Sequence, residues 1–334
     1  MAISQAIRFL TVLFIAISST QLSAQGEFFL DLSAEFLSND NLGRAKLSAD
    51  QKDDVSVGVS ANGGYYIQAS DFTSVSLLAN VQASQYDTYD GLDSTNFGVG
   101  VALSHKFGIG DEVPSIDFSI TADKISFDNS VRDANVYGTN LSVSRRFGER
   151  ILAGFGAGYE QRDGDHNEVA IAHGPGPSPG PGPSPGPSPG PGPSPGPGPA
   201  PGPGPAPGPS PAPAPGDSFS VDNASVFAFA DFDIGESSWV SAGYQYSTGE
   251  VTSTSTPTDR IVAAATAITN DDVFGGNRFA YRIDAKSHVY NIDWNRAILE
   301  SGTFLLGVEY QDVTAKSGID YSTTILRAGF IYSF

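Results

Sequence analysis

The chain has 334 residues, of which 37 are acidic and 18 basic, a net charge of −19 at neutral pH, and no cysteine. The acidic balance argues against nucleic acid as a partner, since proteins that bind it are basic. The missing cysteine excludes a disulfide framework, a lipid-modified N-terminal cysteine and thiolate metal sites.

Residues 1–24 read as a secretory signal: Arg8 supplies positive charge, Phe9 to Ile17 an apolar core, and Leu22-Ser23-Ala24 a small-residue cleavage site. That core is too short to span a bilayer as a helix, which takes about 20 residues. No later apolar run reaches half that length, so the mature chain, from residue 25 on, enters a membrane as strands or not at all.

Twelve segments then alternate apolar and polar residues with period two, the signature of strands with one apolar face. Phe28, Leu30, Leu32, Ala34 and Phe36 oppose Asp31, Ser33 and Glu35 in the first. The second carries Val55, Val57, Val59, Ala61 and Tyr65, and the third Val75, Leu77, Ala79 and Val81 against Asn80 and Gln82. Phe97, Val99, Val101 and Leu103 mark the fourth, and Ile116, Phe118, Ile120 and Ala122 the fifth, against Asp117 and Asp123. The sixth sets Tyr137, Leu141, Val143 and Phe147 against Asn140 and Arg146. The seventh sets Ile151, Ala153, Phe155, Ala157 and Tyr159 against three glycines and Glu160.

An eighth segment near Val226 to Ile234 has Phe or Val in both rows. The ninth shows Val240, Ala242, Tyr244 and Tyr246. The tenth, weakest in pattern, lies within Arg282 to Ile298 with Tyr290, Ile292 and Trp294 as its apolar row. Phe304, Leu306, Val308 and Tyr310 form the eleventh. In the last, Leu326, Ala328, Phe330, Tyr332 and Phe334 oppose Arg327, Gly329 and Ser333.

A strand that is apolar on one face, polar on the other and ends on an aromatic suits a wall between lipid and a wet lumen. With the export signal, it resembles the closing strand of bacterial outer-membrane β-barrels. The resemblance implies an all-β fold, a transmembrane antiparallel up-and-down β-barrel of about 12 strands in the outer membrane. It also implies membrane lipid, lipopolysaccharide and the barrel-insertion machinery as partners, with Phe334 as the assembly signal. The function implied is a porin-like passive channel for small hydrophilic solutes or ions. The alternative is a structural or surface-display barrel for adhesion.

Connections after even-numbered segments are short, and those after odd-numbered ones are longer and richer in Asp and Asn. Short periplasmic turns and long external loops have this asymmetry, which places both termini in the periplasm. The inward row then supplies the lumen-lining candidates Asp31, Glu35, Asp117, Asp123, Arg146, Glu160, Arg162, Glu309 and Arg327. Its many small residues predict a narrow wet passage unless a loop fills it. Mixed charges could instead close the lumen as a salt-bridge network. The excess of acids predicts a modest preference for cations.

No residue pattern points to catalysis, a cofactor or a metal. His105 is adjacent to Ser104 on a strand, so the two point to opposite faces, and neither His166, His173 nor His288 accompanies a nucleophile at strand spacing. Asp87, Asp90 and Asp93 suggest a cation site by spacing, though acids in such a loop are more simply solvated. In the connection from Glu250 to Asn277, Ile261, Ala264, Ala265 and Ile268 fall at helical spacing, with Thr258 or Asp259 as a cap and Asn270 as a stop. Such an apolar face calls for cover, in the barrel mouth or on a neighbouring loop.

From Gly174 to Gly216 proline occupies every odd position, with Gly, Ser or Ala between. The tract lacks the donors for a ladder or a helix and reads as an extended polyproline-like segment. Strand parity places it in the external connection between the seventh and eighth segments, as a stalk or as a tolerated expansion of a loop. An epitope inserted at Ser188 is expected to be labelled on intact cells, and one in the Gly148–Arg150 turn is not; the reverse labelling would refute the parity.

Overall fold

A computed structural model describes residues 26–165 and 217–334. The signal segment, His166, His173 and the Pro/Gly tract lie outside the described residues. Thirteen strands follow in chain order: β1 (Gly26–Asn39), β2 (Asp54–Ser70), β3 (Thr73–Tyr86), β4 (Ser94–Lys106), β5 (Ser115–Phe127), β6 (Ala134–Phe147), β7 (Ile151–Gly164), β8 (Val221–Gly235), β9 (Ser238–Ser255), β10 (Ala267–Asn270), β11 (Phe279–Leu299), β12 (Gly302–Ala315) and β13 (Tyr321–Ser333). One short helix, α1 (Asp259–Ala264), precedes β10. No helix among the described residues is long and apolar enough to cross a membrane.

Twelve strands make the wall, each antiparallel to its neighbours, with β9 joined directly to β11. The first and last strands close it: Asp31 pairs with Ser333, Ala34 with Phe330 and Asn39 with Ile325. The Phe334 amide adds one more rung, donating to the Leu30 carbonyl at 2.9 Å. With no free edge in the wall, every ladder group within the membrane has a partner, as a chain without solvent requires.

Side-chain alternation sorts the two faces as the pattern predicts. Phe97, Val99, Val101 and Leu103 of β4, Leu306 and Val308 of β12 and Leu326 of β13 are all exposed on the outer face, and Phe155 of β7 is 65% exposed. Apolar area of this kind is costly in water and favourable against lipid. The blemish in β8 has a packing cause. Its inward residues Phe227 and Phe229 lie over Gly156 and Gly154 of β7, where an added Cβ would come within 2.5 and 2.6 Å of the rings.

Both described chain ends lie at the rim with the short turns. Those turns are residues 71–72, 107–114, 148–150, 236–237 and 300–301. A charged side chain introduced at mid-wall on the lipid face costs about 2–4 kcal/mol. Val101→Arg is therefore expected to reduce insertion into lipid vesicles, measured by heat-modifiable gel migration. Ser104→Lys, which faces inward where Ser104 is paired in register with Asp117, is expected to insert as the parent does.

Candidate functional site: a folded-in lid over a partitioned lumen

The longest wall strands, β9 and β11, carry the connection 256–278 at the outer mouth. Thr258 caps α1 by accepting from the Ile261 amide at 3.4 Å, as its sequence signals. The helix stops at Ala264, well short of Ile268, because an open edge competes for the chain. β12 ends with Ala315 opposite Ala285, which leaves the outer end of β11 unpaired on that side. β10 fills the gap, Ala267 opposite Arg282 and Asn270 opposite Phe279.

The apolar residues of this segment are covered as expected. Ile261, Ala264 and Ile268 form one buried cluster with Val251, Tyr281, Ile283, Val313, Ile319 and Tyr321. By alternation Val251, Tyr281, Ile283, Val313 and Tyr321 sit on the inward rows, opposite the exposed Tyr244, Tyr290, Tyr310 and Leu326. The segment therefore folds into the barrel mouth and also rests on the β12–β13 loop, which supplies Ile319.

The far side of this lid is fastened to loops across the mouth. Asp271, 1% exposed, accepts from Arg132 of the β5–β6 loop at 2.5 Å and from the Thr254 hydroxyl at 2.7 Å. The Arg132 guanidinium also lies 5.0 Å from the Phe219 ring centre and 5.4 Å from that of Phe274, within cation–π range. Phe274 meets Tyr89 of the β3–β4 loop edge to face at 5.0 Å. The β1–β2 loop joins through its Gly43 carbonyl, which accepts from the Thr254 amide at 2.7 Å, and through Asp50, which takes the Thr256 hydroxyl at 2.7 Å.

Loop aspartates act here as backbone acceptors. Asp93 accepts from the Tyr86 amide and Asp133 from the Phe127 amide, both at 2.7 Å, so successive loops close in the same way. Asp54 takes the amides of Thr88 and Tyr89. Burial pushes the Asp93 carboxyl above its usual value. Among the described residues no group of three or more His, Cys, Asp or Glu could hold a metal; of Asp87, Asp90 and Asp93, it is Asp93 whose carboxylate closes the loop.

Inside the same mouth lies a cavity of about 800 Å³, lined among others by Arg44, Asp123, Arg132, Glu160, Arg162 and Gln311, and by Thr254 at the edge of the lid. A second space of about 290 Å³ is lined by Ser33, Glu35, Ser60, Asn62, Asn80 and Asn96. Side chains reach across the wall around both. Asn80 and Asn96 donate to Asp123 at 3.1 and 3.3 Å. Arg327 forks onto Asp293 at 2.7 and 2.8 Å and lies 3.8 Å from Glu309.

Some of the small inward residues make room for longer side chains beside them. A Cβ on Gly98 would stand 2.0 Å from an Asp123 oxygen, and one on Gly307 1.9 Å from an Asp293 oxygen. These glycines are beds for longer polar neighbours on adjacent strands. Nor does the acid excess of the chain carry into the upper cavity, whose lining balances Arg44, Arg132 and Arg162 against Asp123, Glu160 and Glu250.

Of the nine lumen candidates, Asp123, Glu160 and Arg162 meet in the upper cavity, Glu35 lines the lower space, and Glu309 and Arg327 share one ion network. The rest lie toward the rim with the short turns: Asp31 opposite Ser333, Asp117 accepting from Ser115, and Arg146 paired with Asp233 at 3.0 Å. Sequence reasoning missed Asp293, although it lies in the row opposite Ile292 and Trp294. It also missed Arg132, which sits in a loop with no period to reveal it. His105 faces outward, bound to the Thr73 hydroxyl at 2.9 Å, and His288 to the Tyr244 hydroxyl at 2.9 Å.

The same overall fold occurs in the COG4313 outer membrane channel from Pseudomonas putida F1, at 7% identity, with 95% of this chain and 98% of that one covered and a TM-score of 0.53. Weaker likenesses include the outer membrane channel DcaP of Acinetobacter baumannii (9% identity, 92% and 97% covered, TM-score 0.40) and the NanC porin (8% identity, 91% and 98% covered, TM-score 0.41). No protein-family model matches the chain, and no match was found among the curated proteins. What this chain shares with the Pseudomonas putida channel is the fold, an antiparallel β-barrel closed by twelve strands.

Removing one partner of a buried ion pair costs about 3–5 kcal/mol, because it strands the other charge. Arg132→Gln is expected to loosen the lid, seen as faster proteolysis of residues 256–278 in the folded barrel. Adding Asp271→Asn is expected to restore part of the protection, and a double variant no better than the single one would argue against the latch.

Proposed function

We propose that the barrel is a porin-like passive channel for small hydrophilic solutes or ions, kept narrow by the lid and by the polar side chains of its inward rows. The observation that carries this reading is the cavity of about 800 Å³ inside a twelve-stranded wall, whose lining includes Arg132 and Thr254, the residues that fasten the loop folded in from the mouth. Eight strands fill their interior with side chains and sixteen leave a wide pore; twelve suit a restricted passage. The protein's role on this reading is passage without chemistry. Its outer rim contacts lipopolysaccharide, and Phe334 is the residue by which the insertion machinery recognises the closing strand.

Single-channel recording of the purified protein in planar bilayers tests this. The parent is expected to give small, steady openings. Deleting residues 259–270, which removes α1 and β10, is expected to raise the conductance of a barrel that still shows heat-modifiable migration. Absence of conductance in both proteins would overturn the channel reading in favour of a structural or display barrel.

A further inference from the structure

Three guanidinium groups line the upper cavity: Arg44 of the β1–β2 loop, Arg132 of the β5–β6 loop, and Arg162 near the outer end of β7. Arg44 and Arg132 are close enough to act electrostatically on Arg162. Arg132 has a carboxylate partner in Asp271. Among the described residues, Arg44 and Arg162 form no ion pair. Arg162 donates from Nη2 to the Arg132 carbonyl at 3.0 Å and stands 5.8 Å from the Phe127 ring centre, while its Nε is buried without a partner.

A largely enclosed guanidinium beside two like charges is costly unless an anion balances it. Glu160 and Asp217 act on Arg162 from a distance. Burial holds the Asp217 carboxyl above its usual value, and that carboxylate is already committed to the Phe219 amide and the Ser220 hydroxyl. Arg44 is exposed and lies in a turn closed by Asn41, whose carbonyl accepts from the Arg44 amide at 3.0 Å. Its φ is 52°, a left-handed conformation that a side chain other than glycine adopts at a cost. Its carbonyl is held there by the Ser253 hydroxyl at 2.8 Å. Backbone of this kind persists where the surroundings over-determine it, often at ligand sites.

We propose that the upper cavity binds a small solute bearing an oxyanion, carboxylate or phosphate, between Arg44 and Arg162. The planar guanidinium forks match either group in two-point contact. The amides of Asn140, Asn223 and Gln311, which share the lining, can both donate to and accept from the solute's hydroxyls. This inference deepens the channel reading and rests on it for delivery of the solute, whereas binding itself is measured without transport.

The test is calorimetric titration of the full-length protein in detergent at low salt with citrate, with glycerol 3-phosphate, and with glycerol as the uncharged control. Saturable one-to-one binding of citrate or the phosphate ester, with none of glycerol, is expected, and the anion that binds more tightly identifies the class. Arg162→Gln and Arg44→Gln are each expected to weaken it about tenfold or more, and Arg162→Lys, which keeps charge and loses the fork, to weaken it less. Arg146→Gln, at the rim with the short turns, is expected to change nothing. Binding of neither anion, or affinity unchanged in both glutamine variants, would overturn the site. Should Arg162→Gln fail to fold, the loop variant Arg44→Gln decides alone. A protein that binds but does not conduct keeps the site and sinks the channel, and one that conducts without binding does the reverse.

Discussion

A backbone amide or carbonyl in hydrocarbon without a partner costs several kcal/mol, and the arrangement of this molecule follows from meeting that demand. Each wall strand is hydrogen-bonded on both sides, and β1 is clasped between β2 and β13 along most of its length. Once the wall is closed, alternation leaves charged residues within the membrane only the inward row. There they must satisfy one another, which is why Arg327 forks onto Asp293 and why Asn80 and Asn96 converge on Asp123. The polar lining is thus a consequence of closure as much as an adaptation to passage.

The same wall turns its own apolar side toward lipid, so a conventional hydrophobic core has nowhere to form inside it. Among the described residues the buried apolar cluster sits at the outer mouth, where α1 and β10 meet the inward ends of β9, β11, β12 and β13. The lid is in this sense the part of the protein that folds as a water-soluble protein does. It is fastened at its margins by Arg132, Asp271, Asp50 and Gly43, residues drawn from loops distant in sequence.

Strand existence and face were legible because period two is enforced by lipid on one side and water on the other. Pattern failed where side chains answered to a neighbour instead. β8 carries phenylalanine in both rows because Gly154 and Gly156 of β7 make room for inward rings. The helix at Ile261 was visible in its cap and spacing, yet its length was set by the open edge of β11, which no local pattern reports. Asp93, which looked like a ligand or solvated charge, accepts a backbone amide at the end of its loop, as Asp133 does in the next. Arg132 carried no signal, since its partners Asp271, Phe219 and Phe274 come together only through the fold.

The rungs that join Asp31 to Ser333 and Leu30 to Phe334 tie the first described strand to the last residue of the chain. During synthesis the amino end therefore emerges long before its partner exists. Folding in stages from the amino end, the habit of multidomain chains, would leave an open sheet with a bare edge, the template on which sheets aggregate. Closure therefore waits for β13, and until that strand forms the edge of β1 has to be kept from pairing with other strands.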